Sequence, residues 1–217
     1  MVTLYRLDET AAGIAVTFAV SAGEDRWQGG HLAPGKFAPV ITGGREFVTG
    51  PKRAPTKPRL VPRIWGVPPP PNADDPARGI YTVRNPDSPF WIGNLRNHEF
   101  RCLVPATAFM ECGQSRTQTS HSPTVRKQQQ WYSIADQKLF AFAGVWKDSE
   151  VPSFAILSCP ANAELKSIGC DRMPVILPAH GGAWETWLFA DWRRAASLLQ
   201  PYSSSMMQGI EPSGSDG

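Results

Sequence analysis

Apolar residues recur with two different periods along the chain, and these periods predict different elements. Segments rich in aromatic and β-branched residues, which are typical of strands, cover 101–112, 131–135, 139–146, 153–159 and 173–177. Helical spacing predicts a short helix over 161–169 and one or two helices over 182–200. Because regular helices do not separate the strands, the pattern favours a strand-rich α+β domain over a βαβ array.

The first third of the chain has a less regular pattern. Residues 7–20 predict a helix with Asp8 as its N-cap, and residues 38–49 predict a hairpin of two short strands around a Gly-Gly turn. Residues 50–63 contain four prolines and five basic residues without an acid, so they predict a loop. This insertion is either a solvated loop or an arm that contacts phosphate groups, because phosphate binding requires positioned cations.

Length and composition indicate one globular domain followed by a tail. The chain has 217 residues, of which 41% are hydrophobic and 19% are charged. We expect the domain to cover residues 1–202 and the polar segment 203–217 to be disordered. The net charge of +3 permits a nucleic-acid partner but does not require one.

The cysteines and the N-terminus indicate a cytoplasmic protein without metal or cofactor. No CxxC pair is present and no histidine lies within a few residues of a cysteine, which makes a zinc site a poor interpretation. The expected reduced thiols are Cys102, Cys112, Cys159 and Cys170. The N-terminal apolar stretch is too short for a membrane span and lacks a cleavage motif, so we expect a cytosolic protein that does not bind membranes.

Several short phrases occur together in one order and spacing. They are LYRL at 4–7, APV at 38–40, WGV at 65–67, VRNPDSPFW at 83–91, RCLVPATAFMECG at 101–113, LFAFAGVW at 139–146 and RMPVIL at 172–177. This set resembles the SOS response-associated peptidase (SRAP) family, whose members process abasic sites in DNA. The resemblance covers most of residues 1–190, and the insertion at 50–63 is not part of the family pattern. It implies a single domain of the SRAP type, with curved antiparallel or mixed sheets and flanking helices.

The resemblance also implies a function in the DNA-damage (SOS) response and a location in the bacterial cytosol or nucleoid. Family members expose a cysteine by removing their own initiating methionine. The amine and thiol of that cysteine then close a thiazolidine ring on the aldehyde of an abasic site, which links protein to DNA. The family binds single-stranded DNA in a basic groove with an aromatic side chain against the bases.

Most of the family's catalytic residues are replaced in this chain. Glu111 stands where the family has its glutamate, but Val2 and Thr82 stand where it has cysteine and asparagine. The position of the family histidine falls on Gly169, or on Cys170 if the gap is moved by one residue. The resemblance therefore implies a divergent member whose crosslinking and peptidase activities are lost or residual, in the manner of a pseudoenzyme.

Three further expectations concern the amine, the cysteines and the DNA-binding residues. The α-amine of Val2, if the methionine is removed, is able to form an imine with an aldehyde. Cys112 and Cys170 are either substitute nucleophiles or inert buried thiols. Trp65 is either a base-stacking wedge or a core residue, and the candidate phosphate contacts are Arg84, Arg172, Lys52 and Arg53, with Lys57 and Arg59 beside them. The first hypothesis is a monomer that binds single-stranded or abasic-site DNA, and the alternative is a scaffold module that has left DNA.

Overall fold

A computed structural model describes residues 2–43, 57–73, 75, 79–119 and 122–211, with side chains excluded for 114–119 and 122–128. The strands are β1 (Leu4–Leu7), β2 (Gly30–Leu32), β3 (Phe37–Thr42), β4 (Arg59–Trp65), β5 (Thr82–Val83), β6 (Arg101–Ala106), β7 (Ala108–Thr119), β8 (Ser122–Ile134), β9 (Phe140–Lys147), β10 (Ser153–Pro160), β11 (Arg172–Pro174), β12 (Ile176–Leu177) and β13 (Met207–Ile210). The helices are α1 (Ala11–Phe18), α2 (Ile92–Arg96), α3 (Ala163–Ser167), α4 (Ala183–Phe189) and α5 (Trp192–Ala196), with 3₁₀ turns at His98–Phe100 and Ser204–Met206. The predicted strand-rich α+β class is confirmed.

The strands form two sheets. The first is antiparallel throughout, in the order β13-β8-β7-β1-β2. The second is mixed, in the order β11-β10-β4-β3-β6-β9-β12, and β10 pairs in parallel with β4 and β5. Because β9 also pairs with β10, the strands β10, β4, β3, β6 and β9 close into a ring, which leaves no open edge between them.

Aromatic side chains join the two sheets. Tyr5 of β1 lies 5.2 Å from the ring of Trp65 and 5.9 Å from that of Phe142, in edge-to-face geometry with both. Phe109 of β7 contacts Phe140 and Phe142 of β9 in the same way. Burial of each such ring contributes about 1.5–3 kcal/mol. These contacts fix the N-terminal strand and β7 against the closed ring, and the candidate site lies on those two strands.

Two prolines explain why the sequence pattern misses β4. The predicted loop over 50–63 is wrong for residues 59–63, which form a strand that pairs with β3. Pro39 of β3 lies directly opposite Pro62 of β4. The ladder from β3 to β6 starts only at Ile41 and the ladder from β4 to β10 is recorded only at Ile64 and Trp65, so neither proline is needed as a donor. The predicted second hairpin strand, residues 45–49, lies outside the described residues.

Other element boundaries differ from the predictions. Helix α1 is capped by Thr10, whose Oγ accepts from Gly13 N at 3.2 Å, whereas the predicted cap Asp8 forms a 2.5 Å ion pair with Arg6. Two helices rather than one follow β12, because Asp191 ends the first segment and caps α5 by accepting from the backbone N–H of Arg194.

The predicted disordered tail begins too early. Met207–Ile210 forms β13 and pairs with β8 in the register Met207↔Ile134. Asn162 holds this segment in place, since its Nδ2 donates to the Tyr202 carbonyl at 2.8 Å and to Met207 Sδ at 3.0 Å. The sequence pattern misses β13 because this strand has only four residues and its partner, β8, lies far away in sequence. Within the described ranges, no helix combines the length and hydropathy that membrane spanning requires.

Candidate functional site

Glu111 is a buried carboxylic acid on the core face of β7. Side chains alternate along a strand, so Glu111 shares its face with Phe109 rather than with Met110. Met110 and the partly buried Cys112 pack with Trp131 in a separate cluster on the other face. The Glu111 side chain is 0% exposed. Glu111, which the sequence predicts to line a site, is therefore buried at a position where an ionised carboxylate is energetically unfavourable.

The start of the chain lies against this carboxyl group. Val2 is 3% exposed, and its backbone N–H donates a hydrogen bond to the Glu111 carboxylate. Burial raises the pKa of Glu111 to about 7, while the charge and hydrogen bond of the chain's amino terminus and the Val2 N–H act in the lowering direction. A carboxyl group with a pKa near neutrality is able both to donate and to accept a proton at pH 7.

Cys170 reaches the same place from the turn after α3. Its thiol is 5% exposed and donates to the carbonyl of Cys112, with Sγ 3.4 Å from the oxygen. Burial raises the pKa of the Cys170 thiol, the negative charge of Glu111 raises it further, and the amino terminus opposes this. Gly169 adopts φ +84°, a left-handed conformation that favours glycine. Of the two residues predicted for the histidine position, Cys170 is the one whose side chain approaches Glu111.

A glycine on β7 allows this turn to lie close to the strand. A methyl group on Gly113 would come within 2.0 Å of the Ile168 carbonyl oxygen. The turn is held further by the Cys170 N–H, which donates to the Leu165 carbonyl at 2.9 Å. The sequence places Gly113 directly after the Glu111–Cys112 pair, so the close approach is built next to the candidate site.

Tyr132 and Glu164 extend the polar cluster, and the sequence analysis missed both. Tyr132 lies opposite Phe109 in the β7–β8 ladder, and its hydroxyl donates to Glu164 Oε1 at 3.4 Å. Burial raises the pKa of Tyr132, and the charges of Glu164, Cys170 and Glu111 act in the same direction. The available signal was the pairing of the two predicted strands 101–112 and 131–135, which places Tyr132 on the Glu111 face.

Arg172 connects two of the phrases that suggested the family. Its Nε donates to Ser158 Oγ at 3.0 Å, and its Nη2 donates to the carbonyls of Ser158 and Arg84 at 2.5 and 3.1 Å. Thr82 lies beside this region on β5, paired with Ile156, and is only partly buried. Arg84 is exposed and Arg172 is partly exposed, and the contact between them joins the Arg172 guanidinium to the backbone carbonyl of Arg84.

The remaining predicted DNA contacts are distributed differently. Trp65 is fully buried, donates from Nε1 to the Tyr81 carbonyl at 3.0 Å and stacks on Phe154, so it is a core residue and the base-stacking alternative does not fit. Lys52 and Arg53 lie outside the described residues. Among the residues that the structure does describe, no group of three or more His, Cys, Asp or Glu side chains is placed to hold a metal ion.

Comparison with known proteins identifies the family. The family described as SOS response associated peptidase (SRAP) matches residues 2–212. The chain belongs to the SRAP family. This membership associates the protein with the DNA-damage response at the level of the family. No curated protein matches the sequence.

Solved structures confirm the SRAP-type fold. A protein from Bacteroides thetaiotaomicron is 19% identical with a TM-score of 0.70, covering 95% of this chain and 90% of its own. A protein from Bordetella bronchiseptica is also 19% identical, with a TM-score of 0.66 and coverage of 97% and 100%. A phage-related protein from the same organism is 17% identical, with a TM-score of 0.65 and coverage of 97% and 94%. At these identities the likeness establishes the fold alone.

Proposed function

We propose that this SRAP-family protein binds single-stranded or abasic-site DNA and retains at most a reversible chemistry toward the lesion. The observation that carries the proposal is the position of Glu111, whose buried carboxyl group lies against the backbone N–H of Val2. A second support is Arg84, an exposed cation whose backbone carbonyl accepts a hydrogen bond from the Arg172 guanidinium. Because Val2 has no thiol, a thiazolidine ring cannot close on this residue.

The chemistry that remains is that of an amine beside a carboxyl group. In a protein processed to begin at Val2, the backbone nitrogen next to Glu111 becomes an α-amine. An α-amine has an ordinary pKa of about 7.7–8.0, so a usable fraction is neutral near pH 7. The neutral amine attacks the aldehyde carbon of an opened abasic sugar, and the Glu111 carboxyl group protonates the hydroxyl that leaves as water. The product is an imine, which hydrolyses when the steps are reversed.

A salt titration tests the DNA-binding part. Fluorescence anisotropy with abasic, intact single-stranded and duplex oligonucleotides of equal length should show binding that weakens steeply with salt, because each phosphate contact on a single strand contributes about 0.7 to the slope of log K against log salt. Arg84→Ala and Arg172→Ala should each weaken binding and reduce the slope by about this amount. Arg193→Ala, an exposed arginine on α5, is the matched control and should leave the slope unchanged.

The titration also separates this function from the alternative. Absence of binding to all three oligonucleotides at low salt would refute the DNA-binding proposal and favour a scaffold module that binds another protein. Urea unfolding of Arg172→Ala distinguishes a lost phosphate contact from a disrupted fold, since Arg172 also hydrogen-bonds Ser158.

Borohydride trapping tests the imine. A cleavable fusion that leaves Val2 first provides the protein, and intact mass verifies its N-terminus. Reduction in the presence of abasic single-stranded DNA should yield a conjugate that survives denaturation, whereas the same protein acetylated at its α-amine should yield none. Equal yields with and without acetylation would show that lysines, and not Val2, form the imine.

A further inference from the structure

A thiol lies on the same side of β7 as the carboxyl group and the chain start, and the proposed function does not use it. We propose that Cys170 adds to the imine formed at Val2, so that the aldehyde carbon is held between the amine nitrogen and the Cys170 sulfur as an N,S-acetal. This inference rests on the proposed function, because it needs the imine to form first. It assigns to Cys170 the sulfur chemistry that residue 2 cannot supply.

Three groups converge on one point of β7. Strand β1 begins at Leu4, which pairs with Met110 of β7, and Val2 lies two residues before it at the end of the sheet where Glu111 follows Met110. The Cys170 Sγ lies 3.4 Å from the carbonyl oxygen of Cys112. Glu111 is the residue directly before Cys112 and accepts the Val2 N–H. The nitrogen, the thiol and the carboxyl group are therefore neighbours although 168 positions separate Val2 from Cys170 (170 − 2).

The turn that carries the thiol is held rigidly. Ile168 lies against Gly113 so closely that a methyl group there would meet its carbonyl at 2.0 Å. The N–H groups of Gly169 and Cys170 donate to the carbonyls of Lys166 and Leu165, each at 2.9 Å. A thiol held in place next to the reacting nitrogen reacts at a much higher effective concentration than a free thiol.

The charges around Cys170 suit addition to an imine better than direct attack by a thiolate. Burial, Glu111, Cys112 and Asp171 all raise the pKa of the Cys170 thiol, and only the amino terminus lowers it. Tyr132 also faces this cluster from β8. The sulfur therefore carries its proton, and Glu111 is the adjacent group that accepts it.

The steps balance in atoms and electrons without an oxidant or reductant. The Val2 amine forms a C–N bond to the aldehyde carbon, and one water leaves to give the imine. The sulfur of Cys170 then forms a C–S bond to the same carbon while the C=N electron pair moves to nitrogen. The thiol proton passes to the Glu111 carboxylate and from there to nitrogen. Aldehyde, amine and thiol give the N,S-acetal and one water.

The other three cysteines do not fit this role. Cys112 packs with Met110 and Trp131, on the face of β7 opposite to Glu111. Cys102 is fully buried in β6, and burial raises its pKa strongly. Cys159 is buried in β10, where burial raises its pKa to about 11 despite the nearby Arg172. Cys112→Ala is the useful control, because it removes a neighbouring thiol and keeps the carbonyl that Cys170 contacts.

The lifetime of the conjugate tests the inference. Protein that begins at Val2 is incubated with abasic single-stranded DNA without reductant and then chased with methoxyamine, which captures an imine but not an N,S-acetal. We expect the wild-type conjugate to decay at least ~10-fold more slowly than that of Cys170→Ala, as effective-concentration arguments suggest. Cys112→Ala should match the wild type. Cys170 in the bound wild-type protein should also be protected from iodoacetamide, as peptide mapping detects.

The outcomes separate the inference from the proposed function. If wild type and Cys170→Ala give equal borohydride-trapped yields and equal chase lifetimes, the thiol has no role and the imine chemistry stands. If no variant gives a trapped adduct, the imine and the N,S-acetal are both refuted, while salt-dependent binding alone keeps the DNA-binding proposal. Cys170→Ser keeps the size and hydrogen bond of the thiol, so a short lifetime in that variant excludes misfolding as the cause.

Discussion

The substitution Glu111→Gln should make the protein more stable above pH 7 and change it little under acid conditions. The folded protein raises the pKa of Glu111 from its ordinary 4.5 to about 7, chiefly through burial. Each pKa unit corresponds to about 1.4 kcal/mol. The ionised form therefore lowers the free energy of unfolding by about 3 kcal/mol once the carboxyl group is fully deprotonated.

The sign of this stability difference follows from the direction in which folding shifts the pKa of Glu111. The folded state holds the proton more tightly than the unfolded state, so the contribution of Glu111 to stability is most favourable below about pH 4.5. It declines as the pH rises and has reached its full deficit above about pH 7. Glutamine fills a similar volume and does not ionise. The difference in unfolding free energy, variant minus wild type, should therefore increase by about 2–3 kcal/mol between pH 5 and pH 8.

Urea unfolding followed by tryptophan fluorescence measures this difference, since the chain has 8 tryptophans. Other titrating groups are common to both proteins and cancel in the difference. Glu185→Gln, an exposed carboxylate on α4, is the control and should change stability by less than about 0.5 kcal/mol. A difference between Glu111→Gln and wild type that is the same at pH 5 and pH 8 would refute the reasoning, because it would show that the carboxyl group titrates alike in the folded and unfolded states.

Two further predictions concern the packing that positions the site. Gly113→Ala should lower the unfolding free energy by about 1–3 kcal/mol, because its methyl group meets the Ile168 carbonyl, whereas Gly93→Ala in α2 meets no atom within 4 Å and should be neutral or stabilising by up to about 1 kcal/mol. Equal effects of the two would contradict the close approach. Trp187→Phe removes an indole N–H that donates to two backbone carbonyls at 2.9 and 3.2 Å, which should cost about 1–2 kcal/mol. At about 2–4 °C per kcal/mol for a chain of this length, calorimetry should show a Tm lower by about 2–8 °C.

The strands of the second half were predictable because their own residues determine them. Between residues 139 and 177 the apolar runs are dense, and their turn residues mark their ends. Strands β4 and β13 were not predictable in this way. β4 contains a proline at a position where no ladder needs a backbone donor, and β13 is short and depends on pairing with β8. Both depend on partners that are distant in sequence, which a local pattern does not contain.

The candidate site likewise contains one residue that its local sequence identifies and others that only contacts between distant segments bring together. Glu111 was predictable from the phrase around it. The choice between Gly169 and Cys170 was not, since a shift of one residue between a helix and a strand leaves both patterns unchanged. In the structure Gly169 adopts a left-handed conformation, and the thiol of the next residue, Cys170, donates to the Cys112 carbonyl. The pairing of Tyr132 with Glu164 likewise joins residues that are 32 positions apart.

The effect of Glu111 on stability bears directly on the role of its carboxyl group. Asn162 is also a buried polar residue, but it caps α3 and holds the C-terminal strand, so the fold accounts for it. The Glu111 carboxyl group instead lowers stability at neutral pH, and a glutamine should bind the same N–H group without that loss. If Glu111→Gln proves more stable at pH 8 and also forms the trapped imine more slowly, its charge serves proton transfer rather than folding. If the variant is more stable and forms the imine at the wild-type rate, the carboxyl group is a relic, and the amine of Val2 acts without its help.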